Sequence, residues 1–373
     1  MSDERIVAVV MPKWGLAMEE GQVNEWLVEE GSEIKVGDEI LEVETDKIAG
    51  TVEAADAGTL RRRLAEPGTV YPVKALLGVL ADASVSDADI DAFVAGYVVP
   101  AAAEGEDEDA GPSYQFLELG DQRLRYAQRG DGDQAVVLIH GFGGDLDNWL
   151  FNLDTLAEGY TVYALDLPGH GQSSKRLDDP TLAGLAKTVN AFMEALEIDR
   201  AHLVGHSMGG GLALRLAQQH PERVRSLGLI SCAGLGETID WDYIHGFVAA
   251  ENRRQLKNVM TKLFADPSLV NRKLVDDVLR YKRLDGVSET LTQLADTLFA
   301  NGQQRERPAE GFDPAKVPTL VIWGEQDQIL PVAQAEGLGQ GASVRVVPDA
   351  GHMVQMEAAS TVNSALLAHF GEH

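Results

Sequence analysis

Ser207 is the residue that its neighbours best prepare to attack an electrophile. It sits at the centre of Gly205-His206-Ser207-Met208-Gly209, a G-x-S-x-G pattern that follows the apolar run Ala201-His202-Leu203-Val204 and precedes the helical pattern from Leu212 to Ala217. A serine at the apex of so tight a strand-to-helix turn projects its hydroxyl clear of the backbone. Glycines flank it because a Cβ there would clash. The first free N–H groups of the following helix, Met208 among them, then point at whatever the serine attacks. Other loops offer complementary groups, each just past an apolar run. His140-Gly141-Phe142-Gly143-Gly144 lets the backbone approach closely enough for the Phe142 N–H to meet an oxyanion beside that of Met208. Trp323-Gly324-Glu325-Gln326-Asp327 offers a carboxylate, and Gly351-His352-Met353 an imidazole. A separate reactive group is Lys47, in the polar tip Thr45-Asp46-Lys47, whose amine must project into solvent because both flanking runs are committed to strands.

Composition bounds what these groups can serve. At 373 residues, with 45% apolar and 24% charged side chains, the chain is a soluble globular protein of two or three domains. A formal charge of -28 repels nucleic acid and anionic membrane surfaces alike. The lone Cys232 sits in an apolar strand pattern and reads as a buried small hydrophobe. Met1 to Arg5 does not open a secretory signal, and no apolar run reaches membrane-spanning length, so a cytoplasmic protein is expected. His202, His206 and His245 lack partners at ligand spacing, and no metal is expected.

Residues 1–81 read as a small all-β module. Short alternating runs at Ile6–Val10, Val23–Val28, Glu39–Glu44, Ile48–Glu53, Gly58–Leu60 and Gly78–Leu80 are punctuated by Gly, Asp and Pro. The segment resembles the lipoyl (biotinyl) domain of 2-oxo acid dehydrogenase complexes through M-P-K-W-G at Met11 to Gly15, Glu30-Gly31, V-G-D at Val36 to Asp38, and E-T-D-K-I at Glu44 to Ile48. Gly31 and Gly58 stand at that family's turn spacing from Lys47. The resemblance implies a flattened barrel of two four-stranded sheets with lipoate joined to Lys47 as an amide. Biotin carriers usually place the lysine between methionines; here the neighbours are Asp46 and Ile48.

Residues 82–113 shift to Asp, Ala, Glu, Gly and Pro, ending in the acidic run Glu104 to Asp109, and read as a flexible acidic linker. Within it, Ser86 to Val94 reads as an N-capped helical turn with Ile90, Phe93 and Val94 on one face. That turn is similar to the closing helix of a peripheral subunit-binding domain whose remaining elements are missing.

Residues 114–373 alternate apolar strands with helical patterns, giving a mainly parallel sheet with helices on both sides and active residues at the carboxyl ends of its strands. Alternation stops over residues 233–308, where helical patterns carrying Trp241, Tyr243, Phe247, Phe264, Tyr281 and Phe299 predict a lid that lines an acyl pocket. The segment, including D-L-P-G-H-G-Q-S at Asp166 to Ser173, resembles the α/β-hydrolase superfamily. The resemblance implies Ser207 as nucleophile, His352 as general base and Asp327 as the group that orients it. Glu325 and Asp349 are the competing carboxylates, and W-G-x-x-D-x-x-x-P, closed by Pro331, favours Asp327.

A single lipoyl domain joined to an α/β-hydrolase domain is similar to the dihydrolipoyl acetyltransferase components of acetoin dehydrogenase complexes. The H-x-x-x-D-G signature of the usual acyltransferase domains is missing here. Family membership implies acetyl transfer from lipoyl-lysine to coenzyme A in acetoin catabolism, an oligomer, and as partners a thiamine diphosphate dehydrogenase and a flavin dihydrolipoyl dehydrogenase. From Glu251 to Arg283 the lid carries an excess of basic residues within an acidic chain, and Arg253, Arg254 and Lys257 are expected to receive the coenzyme A phosphates. The competing readings are a carrier-fused esterase or thioesterase, and a catalytically silent scaffold for the carrier.

Overall fold

A computed structural model describes residues 6–12, 20–45, 49–54, 56–82, 84–97, 99 and 114–373. Lys47 and its neighbours Asp46 and Ile48, the Lys13–Gly15 part of the M-P-K-W-G stretch, and the acidic run Glu104 to Asp109 lie outside the described residues. The chain divides into two compact units, Met1–Pro112 and Ser113–His373.

The small unit holds strands β1 (Ile6–Val10), β2 (Glu20–Trp26), β3 (Glu33–Ile34), β4 (Glu39–Glu44), β5 (Ala49–Glu53), β6 (Gly58–Arg63), β7 (Val70–Pro72) and β8 (Leu76–Ala81). They form two four-stranded sheets, in the orders β1-β8-β6-β3 and β5-β4-β2-β7, as the resemblance implies. Val23, Ile34, Leu41, Val43, Leu60 and Leu77 fill the space between them. Both turn glycines are there for a physical reason. Gly31 has φ +93°, and a Cβ on Gly58 would stand 3.2 Å from that of Leu80. Strands β4 and β5, which flank Lys47 in sequence, pair antiparallel with Glu44 opposite Ala49.

Helix α1 (Asp87–Gly96) is capped by the Ser86 side chain, which accepts from the Asp89 N–H. Its apolar face is already occupied. Ile90 is fully buried among Val79, Ala81 and Val85, with Phe93 and Val94 packed on the same cluster. Arg61 reaches Asp87 at 2.9 Å, Arg62 reaches Asp91 at 3.2 Å, and the Tyr97 hydroxyl donates to the Lys74 carbonyl. The turn placed in the linker therefore packs its apolar face on its own barrel. Exposed ion pairs contribute little, so Ile90 dominates the docking.

In the large unit the strands are β9 (Tyr114–Leu119), β10 (Gln122–Arg129), β11 (Ala135–Ile139), β12 (Thr161–Leu165), β13 (Ala201–His206), β14 (Val224–Ile230), the short hairpin β15 (Phe299–Ala300) and β16 (Gln303–Gln304), then β17 (Thr319–Gly324) and β18 (Ser343–Val347). The main sheet runs β18-β17-β14-β13-β11-β12-β10-β9, antiparallel only where β10 meets β9 and β12. Its helices are α2 (Leu153–Ala157), α3 (Leu182–Ala195), α4 (Met208–Gln219), α5 (Trp241–Ala249), α6 (Arg253–Met260), α7 (Arg272–Lys282), α8 (Val287–Leu298), α9 (Val354–Glu357) and α10 (Ala359–Gly371). Central strands β11, β13 and β14 are buried along almost their whole length, which is why they read as unbroken apolar runs. Chain order reverses at β11, between β12 and β13, and the crevice at such a reversal is where ligands sit in open parallel sheets.

Replacing Ile90 by Ala should weaken α1 docking by about 2–5 kcal/mol. Amide exchange in the full chain tests this: protection along Asp87–Gly96 should fall in the variant while the main sheet is unaffected, and unchanged protection would refute the packing.

Candidate active site

Strand β13 ends at His206, and α4 begins at Met208, which leaves one residue to make the turn. Ser207 does so at φ +52°, ψ -117°, a conformation that L residues seldom adopt. The close packing leaves room only for glycine beside it. A Cβ on Gly205 would fall on the Gly209 carbonyl, and one on Gly209 would fall on that of Ile139. Gly141 of the loop after β11 lies against the serine, since its Cβ would be 3.1 Å from the Ser207 Cβ. That contact brings the Phe142 segment to the serine. Met208, as the first residue of α4, has no intrahelical acceptor for its N–H.

His352 follows β18, and its Nδ1 donates to Asp327 Oδ2 at 2.8 Å, with both side chains almost wholly buried. The other oxygen of Asp327 accepts the N–H groups of Ile329 at 2.8 Å and Leu330 at 2.9 Å. Asp327 is thus held in one orientation and fixes the tautomer of His352, leaving Nε2 without a proton. Glu325 and Asp349 are exposed, and Asp349 receives a bond from Gln326 instead. Ser207 and His352 line one cavity of about 80 Å³.

Three further histidines hold these loops in place, roles that no motif in the sequence assigns. The His206 Nε2 donates to the His352 carbonyl at 2.9 Å. His170, from the D-L-P-G-H-G stretch, accepts the Gly143 N–H at 3.2 Å through Nε2 and donates to the Pro168 carbonyl through Nδ1. His140 accepts the Leu167 N–H at 3.0 Å and donates to the Gly141 carbonyl at 2.8 Å. His140 and His170, each accepting an N–H, need the neutral ring. Burial, above every other influence, pushes His140 down to about 4, His170 to about 3 and His206 well below the usual imidazole range.

The cavity is roofed by α5 to α8 and their connections, the segment predicted as a lid. Tyr243, Phe247, Phe264 and Phe299 line it, whereas Trp241 stacks on His245 and the Tyr281 hydroxyl donates to the Gly169 carbonyl. Phe142 meets Phe247 at 6.0 Å and Phe299 at 6.1 Å, both edge to face. Lys282 of α7 caps the end of α5. Its Nζ donates to the carbonyls of Phe247, Val248 and Ala250 and stands over the Phe247 ring. Glu357 ties lid to site: it accepts the Ala265 N–H and the Gly351 N–H, each at 2.6 Å, beside the Met353 to Leu263 backbone bond.

Of the cations expected to meet phosphate, Arg253 and Arg254 line a separate pocket on α6 and α7, whereas Lys257 is exposed on α6 and lies outside that lining. Cys232 is buried against Gly210, and burial pushes its thiol well above the usual range. Among the described residues no group of His, Cys, Asp or Glu is arranged to hold a metal ion, and no helix is long and apolar enough to cross a membrane.

Residues 134–359 match the family described as alpha/beta hydrolase fold, and residues 7–80 match the family described as biotin-requiring enzyme. Over 98% of both chains, the sequence is 58% identical to the dihydrolipoyllysine-residue acetyltransferase component of the acetoin cleaving system of Cupriavidus necator. The component of the same name from Pseudomonas putida is 49% identical over 99% of this chain and 100% of that protein. The chain belongs to the dihydrolipoyllysine-residue acetyltransferases of acetoin cleaving systems. A meta-cleavage product hydrolase from Pseudomonas fluorescens IP01, 25% identical with a TM-score of 0.62, covers 69% of this chain and 97% of its own. These acetyltransferases thus share a hydrolase fold, and the family model that matches the small unit of this chain marks it as a carrier domain.

Burial, opposed by the backbone N–H groups of Gly351 and Ala265, raises Glu357 from 4.5 to about 7, with the nearby Asp327 adding to the rise. The folded acetyltransferase therefore binds this proton more tightly than the unfolded chain, and the contribution of Glu357 to stability falls as pH rises from 4.5 through 7. Denaturant unfolding of wild type and Glu357→Gln should show the difference between the two changing across that window; a pH-independent difference would refute the assignment.

Proposed function

We propose that this acetyltransferase moves an acetyl group from lipoate carried on Lys47 to coenzyme A through Ser207, His352 and Asp327. The observation that carries the reading is that a strained Ser207 and the fixed His352–Asp327 pair line one mostly apolar cavity, on a chain that also has a carrier domain. The small unit fits the group: strands β4 and β5, which flank Lys47 in sequence, pair with Glu44 opposite Ala49, and the unit matches a biotin- and lipoyl-carrier family. Lipoate, when bound there, supplies a thiol that carries an acyl group and can be regenerated. Names of relatives as components of an acetoin cleaving system support an assembly with a thiamine diphosphate dehydrogenase and a flavin dihydrolipoyl dehydrogenase.

His352 Nε2 takes the proton from the Ser207 hydroxyl as Oγ attacks the incoming acyl carbonyl. The oxyanion meets the Phe142 and Met208 N–H groups, His352⁺ beside Asp327 protonates the departing thiol, and the coenzyme A thiol then reverses the sequence with His352 as base. A cavity of about 80 Å³ is a few water volumes, which suits a short acyl group, and its wall is mostly apolar. The hydrolase reading shares every one of these residues and is favoured by the lipases and hydrolases that resemble the large unit; it differs only in admitting water as acceptor.

Purified lipoylated protein, given acetyl-dihydrolipoamide and coenzyme A, should form acetyl-coenzyme A, and Ser207→Ala should lower that rate by about 10³-fold or more. Free acetate as the main product would establish the hydrolase instead, and an unimpaired Ser207→Ala would remove the serine from the reaction. Phe247→Ala should open the wall facing Phe142. The ratio of kcat/KM for butyryl over acetyl donors should rise about tenfold or more, since a buried methylene is worth about 0.8 kcal/mol and aromatic truncation removes several.

A further inference from the structure

The lid carries a second pocket, outside the cavity of Ser207. Asn252, Arg253 and Arg254 at the start of α6, Asp276, Leu279 and Arg280 on α7, and Arg283 just past its end line a space of about 570 Å³. Four guanidinium groups thus face one carboxylate, in a chain whose formal charge is -28. Arg253 is held by Asp276, Nε to Oδ1 at 2.6 Å and Nη2 to Oδ2 at 2.9 Å, which leaves Nη1 unused in that pairing. Arg280 leans on Asp277 at 3.0 Å, and Arg254 and Arg283 form no ion pair among the described residues.

Helix α7 connects this pocket to the acyl cavity. Leu274 and Val278, one turn apart, line the cavity of Ser207, while Asp276, Arg280 and Arg283 occupy another face and line the arginine pocket. One helix therefore separates a thiol-handling cavity from a cationic one, a span of about 10 Å with side chains. An acceptor that carries its thiol at one end of a long flexible arm and phosphates at the other can reach both sides of one helix, and planar guanidinium groups bind phosphate oxygens in pairs. Resting on the acyltransferase reading, we propose that Arg253, Arg254, Arg280 and Arg283 form the site for the 3′-phosphorylated adenosine diphosphate end of coenzyme A. Arg280 and Arg283 take the place that charge counting gave to Lys257.

The full-length protein tests this through two acceptors that share one thiol arm, coenzyme A and pantetheine. The double variant Arg254→Glu/Arg283→Glu should lower the ratio of kcat/KM for coenzyme A over pantetheine at least tenfold, and added salt should lower the same ratio in wild type. Arg254→Gln/Arg283→Gln, a milder change for folding, should move it in the same direction. A ratio unmoved by the variants would overturn the site. If wild type acetylates neither acceptor, the acyltransferase reading fails, and binding of adenosine 3′,5′-bisphosphate then decides the pocket on its own. Titration calorimetry should show that ligand bound by wild type and at least tenfold weaker in the double variant; no binding, or equal binding, would overturn the proposal.

Discussion

The backbone of Ser207 is where the large unit concentrates its constraint. A positive φ on a residue with a Cβ costs on the order of 1–3 kcal/mol and persists only where the surroundings leave no other path. Here β13 is locked between β11 and β14, and α4 packs back on the same sheet, so the chain must reverse within one residue. The backbone bonds around the turn complete the lock: the Ser207 N–H donates to the Ile230 carbonyl, and the Ser207 carbonyl accepts the N–H groups of Gly210, Gly211 and Ala233. Sheet pairing thus holds a conformation that local preference resists.

That arrangement depends in turn on loops held by neutral imidazoles. His140 and His170 face each other with ring centroids 4.9 Å apart, each accepting an N–H from the other's neighbourhood and donating to a carbonyl. Two protonated rings at that distance in a buried site would repel, and each would lose its acceptor role. Burial keeps both neutral, so a set of titratable groups serves as fixed scaffolding for the Gly141 to Gly143 segment. Asp166 plays the opposite part nearby: its charge is matched by Arg125 at 2.7 Å and by the Leu146 and Gln172 N–H groups. Charges that are satisfied and rings that are uncharged give the same result, a loop with one conformation.

Much of this was legible in the sequence because glycine-rich loops and unbroken apolar runs are local signals. Gly205, Gly209 and Gly141 mark close backbone approaches, and each is a glycine that space demands. Asp327 was legible through Pro331 and its spacing, and the burial of its side chain separates it from Glu325 and Asp349. What escaped depends on contacts between distant segments. Nothing near Glu357 says that it will meet Ala265, and nothing near Ile90 says that its partner is Val79 rather than another chain. Strands β3 and β7 are too short to show alternation. Counting charge along α6 and α7 identified a basic segment and named Arg253, Arg254 and Lys257, but it does not say which side of each helix faces a pocket; Arg253 and Arg254 line one and Lys257 does not.

A hydrolase fold turned to transfer must favour a thiol over water at the same base. The intrinsic chemistry helps: a thiol with an ordinary pKa near 8.5 yields its proton to an imidazole far more readily than water at 15.7 does. Concentration works against it, since water is everywhere. The lid resolves the conflict by enclosure. Phe247 and Phe299 close on Phe142, Lys282 anchors the end of the helix that carries Phe247, and Glu357 ties the lid loop to the histidine loop. These contacts close the wall of the cavity that Ser207 lines, so on the proposed mechanism the balance between transfer and hydrolysis rests on the packing of this segment.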